Sequence, residues 1–106
     1  MTLATTPFAW GETLDDLDGP RVTQCALSRI CGSCARSLGR PIAFVGTVVE
    51  VGRNSFHAPP LHLACAEELL GERDDWRLVT TAGFEFVRPV REDLDRRPTF
   101  QPNALL

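Results

Sequence analysis

Cys31-Gly32-Ser33-Cys34, followed after 27 residues by His62-Leu63-Ala64-Cys65, is the pattern from which the rest of the chain is read. Each half carries two ligand-type side chains separated by two residues. In the first half, Gly32 gives a tight turn the backbone freedom to aim N–H groups at the sulfurs. The second half opens a predicted helix over 61–70, where residues three apart project from one face. Pro59-Pro60 stands before that helix and Gly71 after it, as expected for a first turn and a C-terminus. Three thiolates and one imidazole fill a tetrahedral shell, and Zn2+ suits that donor set best. The expected metal ligands are therefore Cys31, Cys34, His62 and Cys65. A shell filled by protein leaves no position for a reacting water, so the site is expected to be structural.

Around this pattern the chain supplies short elements. Residues 41–45 and 47–51 are rich in β-branched and aromatic side chains, with Gly46 between them, and predict a twisted hairpin. Residues 21–28 read as a short strand leading to the cysteine knuckle. Residues 77–81 and 84–88 read as a second hairpin across Ala82-Gly83. The expected organisation is an acidic N-terminal tail over 1–20, a zinc-binding α+β domain over 21–90 and a C-terminal tail over 91–106. Phe8 and Trp10 are expected to pack on the same domain, because two large aromatics are costly in a solvated tail. Phe100, Leu105 and Leu106 fit either a core or an interface.

A knuckle, a hairpin and a helix with the last two ligands in its first turn resemble the treble-clef zinc finger. The stretches Cys31-Gly32-Ser33-Cys34-Ala35-Arg36-Ser37-Leu38-Gly39-Arg40-Pro41 and Pro59-Pro60-Leu61-His62-Leu63-Ala64-Cys65-Ala66 are also similar to small uncharacterised bacterial CxxC…HxxC proteins. The resemblance spans roughly residues 25–71. It implies a small zinc-stabilised treble-clef-like α+β fold and leaves function open, since one fold hosts many functions.

Composition sets the outer bounds. With 106 residues, 43% hydrophobic and 24% charged, the chain allows one small domain whose core benefits from a staple such as a metal. No apolar run reaches the ~18 residues of a membrane span. Residues 1–10 have neither a basic start nor a long apolar stretch, so no secretory signal is expected. The expected compartment is the cytosol, where thiols stay reduced and clustered cysteines bind metal more often than they pair.

The net charge of −3 hides a segregation: acidic ends flank a middle in which Arg21, Arg29, Arg36, Arg40 and Arg53 face only Glu50. There is no lysine, so every fixed cation is a forked guanidinium. An acidic chain is a poor tight binder of nucleic acid, whose affinity comes from neutralising many phosphates. The leading expectation is a non-catalytic accessory or protein-interaction module. The alternative is weak nucleic-acid binding through Arg29, Arg36, Arg40 and Arg53.

Two further residues bear on the ligand set. Cys25 lies six residues before Cys31 and could replace His62 in a four-cysteine site; the His62–Cys65 pair needs no extra geometry, so Cys25 is read as a small buried residue. His57, in a loop before Pro59, fits a metal ligand, a partner that supports a ligand or, by default, a solvated side chain. With two histidines in the chain and one committed to metal, no Ser-His-Asp set is plausible. A metal-dependent nuclease would need a further cluster of ligands, and catalysis is not expected.

Overall fold

In a computed structural model, which describes residues 7–95 and 97–104, the chain is a small α+β protein. Its elements run α1 (Gly19–Ser28), β1 (Ile42–Gly46), α2 (Val48–Arg53), β2 (Leu61–His62), α3 (Leu63–Leu70), β3 (Arg77–Thr81), β4 (Gly83–Val87) and β5 (Thr99–Ala104). One antiparallel sheet has the order β2-β1-β3, and β4 and β5 form a two-stranded ribbon.

The expected strand over 21–28 is a helix. Asp18 caps it, its carboxylate accepting from the Arg21 N–H at 3.1 Å, and Pro20 sits in the first turn. Val22, Cys25 and Ala26 then fall on one buried face. The Asp18-Gly19-Pro20 sequence is thus a helix start as well as a turn.

The hairpin expected across Gly46 does not form. Thr47 and Glu50 make a capping box, with Glu50 N–H donating to Thr47 Oγ1 at 3.2 Å and Thr47 N–H to Glu50 Oε1 at 2.9 Å. Reciprocal capping turns 48–53 into α2 despite its valines, and Val48 and Val49 stay exposed. The Gly46 backbone must pass close to Phe56 and the Glu50 carboxylate, with no room for a Cβ.

Strand β1 is buried along its whole length because it is central, pairing with β2 on one side and β3 on the other. Its register sets Ile42 opposite both His62 and Thr81. The second hairpin is corrected in its pairing: β3 pairs with β1, while β4 pairs with β5. Thr99–Ala104, assigned to a tail from its prolines, is therefore a strand, and Leu105 and Leu106 lie outside the described residues.

A phenylalanine cluster joins the two sheets. Phe44 stacks on Phe56 at 5.5 Å between centroids, and Phe84 and Phe100 each lie within 5.7 Å of Phe44. Phe56 and Phe100 exchange two backbone hydrogen bonds, 2.9 and 2.7 Å, which pin β5 to the loop before β2. The N-terminal segment is also built in: Trp10 is 2% exposed, and Asp18 N–H donates to the Ala9 carbonyl at 2.8 Å. Among the described residues no helix is long and apolar enough to cross a membrane.

Candidate metal centre

Residues 30–37 form the knuckle. Ile30 and Ser37 pair as an isolated antiparallel bridge, Cys31 N–H donates to the Arg36 carbonyl at 2.8 Å, and Ala35 N–H to the Cys31 carbonyl at 2.9 Å. The left-handed residue of this turn is Ala35, with φ 62°, rather than Gly32. Gly32 is required for a different reason: a Cβ there would collide with the Pro59 ring and touch Trp10. Three backbone bonds clamp the knuckle from outside: Gly32 N–H to the Pro60 carbonyl at 2.9 Å, Ala9 N–H to the Gly32 carbonyl at 2.9 Å, and Phe8 N–H to the Ser33 carbonyl at 3.1 Å.

The other two ligand-type residues sit at the start of α3, though not as expected from Pro59-Pro60. The prolines precede β2, and the short β2–β1 pairing ends at His62, which becomes the N-cap of α3. His62 makes no side-chain cap, because its ring is turned to the cysteines. Cys65 is the third helical residue, so both side chains leave one end of the helix in the same direction.

Cys31, Cys34, His62 and Cys65 thereby bring four donor atoms within 4.8 Å of one another, and the group could hold a metal ion. His62 Nδ1 lies 3.3 Å from Cys34 Sγ and 3.9 Å from Cys65 Sγ. In a tetrahedral Zn2+ site, donor atoms stand ~3.5–3.8 Å apart given the usual bond lengths. A modest contraction of the widest separation therefore closes the set. The remote ring nitrogen, Nε2, donates to the Ser37 carbonyl at 2.8 Å, which leaves Nδ1 as the lone-pair nitrogen. Cys31, fully buried, receives the N–H groups of Ser33 and His62, each at 3.4 Å, as a thiolate ligand would.

The sulfurs differ in their electrostatics. Burial opposes ionisation of Cys34, yet the Arg36 N–H and its cysteine and histidine neighbours outweigh it and hold this thiol below its ordinary value. Cys65 moves the other way: burial and the charges of Cys31 and Cys34 push it up to about 12.

Cys25 is buried and stands outside the four-residue group, as the sequence reading had it. Burial, then the neighbouring Cys31, push its thiol up to about 12, which makes it inert. His57 differs from its expectation. It is half-buried between two carboxylates, with Nδ1 3.2 Å from Glu50 and Nε2 3.2 Å from Asp95. All four arginines of the nucleic-acid reading are exposed, and Arg29 also lies over the Phe84 ring at 4.8 Å.

The Ser37 carbonyl carries no side-chain signature; the packing of Phe8 and Trp10 on the domain is legible in the sequence, whereas the backbone bonds from Phe8 and Ala9 to the knuckle are not. No family model, curated protein or solved structure matches this chain.

Proposed function

We propose that this protein is a Zn2+ protein whose Cys3His centre is structural, and that it acts as a non-catalytic interaction module in the cytosol. The observation that carries the metal reading is the convergence of three sulfurs and His62 Nδ1, with the remote histidine nitrogen already engaged by a backbone carbonyl. The donor set favours Zn2+ over hard cations, which prefer oxygen, and four protein ligands leave no position for a hydrolytic water. The knuckle, the antiparallel β1–β2 pair and α3 with its two ligands support a treble-clef-like arrangement.

The interaction role is supported by exposed apolar side chains on a well-capped helix, Val48 and Val49, at 60% and 59% exposure. Weak nucleic-acid binding has less support, because Arg29 is engaged by Phe84 and the chain is acidic.

Native mass spectrometry before and after chelation tests the metal reading. One zinc per chain, lost together with folding, is the expected result; a folded, zinc-free protein overturns it. Affinity capture with the wild type and with a V48E/V49E variant tests the interaction role. Loss of a captured protein in the variant is expected, and identical profiles count against the helix as the contact.

A further inference from the structure

Away from the cysteines, the molecule places an imidazole between two carboxylates from different parts of the chain. Glu50 is the fixed half. Its Oε1 caps α2, and its Oε2 accepts from the His57 backbone N–H at 3.0 Å and from His57 Nδ1 at 3.2 Å. Asp95 is the other half, its Oδ2 3.2 Å from His57 Nε2. It belongs to the connection between β4 and β5.

A neutral imidazole has one N–H. If Nδ1 keeps it for Glu50, the lone pair of Nε2 faces the Asp95 carboxylate, which is repulsive. Only the imidazolium satisfies both neighbours.

Among the described residues, the rest of the connection is held by its own groups. Val90 N–H donates to Asp93 Oδ2 at 2.8 Å, Asp93 N–H to the Val90 carbonyl at 3.0 Å, and Arg97 forks onto Asp95 at 2.8 and 3.0 Å. Its apolar side chains, Val90 and Leu94, are exposed at 58% and 103%, so they do not anchor it. Beside the latch, α2 and the connection enclose a cavity of about 190 Å³.

We infer that His57 is a proton-operated latch: as imidazolium it ties residues 90–95 to α2, and on losing its Nε2 proton it releases them and widens this cavity. Glu50 and Arg53 face the site from α2, and Arg88, Asp93, Asp95 and Arg97 from the connection. Asp15 approaches from the N-terminal side. Both carboxylates remain ionised through the relevant range. The His57 and Thr47 donors outweigh burial and hold Glu50 at about 2, and Arg97, with a smaller share from His57, holds Asp95 well below the carboxylate range. The imidazole is the one member of the triad that can offer either one N–H or two. The sign follows from the geometry: both contacts need a ring N–H, so the tie is complete in acid and one contact is lost when a ring proton leaves.

Trypsin cleavage after Arg91, normalised to a short reference peptide at each pH between 6.5 and 9, reads the release. The full-length, metal-loaded protein is used, and the His57 ring is followed by NMR in parallel. Cleavage is expected to rise about tenfold with the same midpoint as the His57 ring signals, because local opening sets the access of the protease. Asp95→Asn should be cut rapidly at every pH, and His57→Gln should lose the pH dependence. Equal normalised rates across the range in the wild type, or a pH dependence retained in His57→Gln, overturn the latch.

Discussion

His62 Nε2 donates to the carbonyl of Ser37 at 2.8 Å, so one bond fixes both the tautomer and the rotation of the ring that faces the cysteines. The knuckle thus carries two of the sulfurs and also orients the imidazole at the N-cap of α3. In the zinc-loaded protein, long-range nitrogen–proton correlation spectra should show His62 metal-bound through Nδ1 and protonated at Nε2. The reverse assignment would mean that the knuckle does not orient the ring.

The two knuckle cysteines should differ in what their loss costs. Cys31 is buried and receives two backbone N–H groups, whereas Cys34 is exposed. Serine at either position should lower zinc affinity and melting temperature, since binding at such a site contributes on the order of ten kcal/mol to folding. Cys31→Ser should be the more damaging, measured by thermal unfolding with and without chelator.

Zinc loading should weaken as pH falls. Cys65 stands at about 12 without a cation, burial first and then the neighbouring sulfurs keeping it protonated, so the ion must displace that proton. Competition titrations against a chromophoric chelator at pH 6 and pH 8 should show proton release and tighter binding at the higher value.

Trp10→Ala should destabilise by about 3–5 kcal/mol, the usual cost of truncating a buried large aromatic. Trp10 is 2% exposed and touches the space beside Gly32, so its loss should loosen the knuckle clamp too. Leu94→Ala, at a fully exposed side chain, should stay within about 0.5 kcal/mol. Urea unfolding of the two variants checks the contrast.

Glu50 gives an acid-side signature. Its carboxyl stands at about 2 against an ordinary 4.5, because the donors from His57 and Thr47 outweigh its burial. A depressed carboxylate stabilises the fold above its unfolded value, and that contribution disappears as pH falls from about 4.5 through 2. Glu50→Ala should cost on the order of 2 kcal/mol at neutral pH and flatten this acid limb. Equilibrium unfolding against pH measures both.

What could be seen without coordinates was local chemistry. Cys31-x2-Cys34 and His62-x2-Cys65 mark a group that could hold a metal because ligand spacing is a property of a few consecutive residues, and helix α3 is legible except for its first turn. The Thr47–Glu50 capping box was equally local and was overridden by the β-branched Val48 and Val49, whose strand preference depends on burial they do not receive. The Asp18 cap of α1 is local too, but Asp18-Gly19-Pro20 reads equally as a turn.

The pairings were another matter. That β3 joins β1, that β5 joins β4, and that Trp10 lies against the knuckle follows from which apolar faces can be buried together, a property of the whole chain. The same holds for His57. Its spacing from Glu50 and Asp95 carries no motif, and only the packing of α2 against the β4–β5 connection sets one imidazole between two carboxylates. The sequence alone determined the donor atoms; the tertiary structure decided what surrounds them, because donors are chosen residue by residue while burial is shared among segments far apart in the chain.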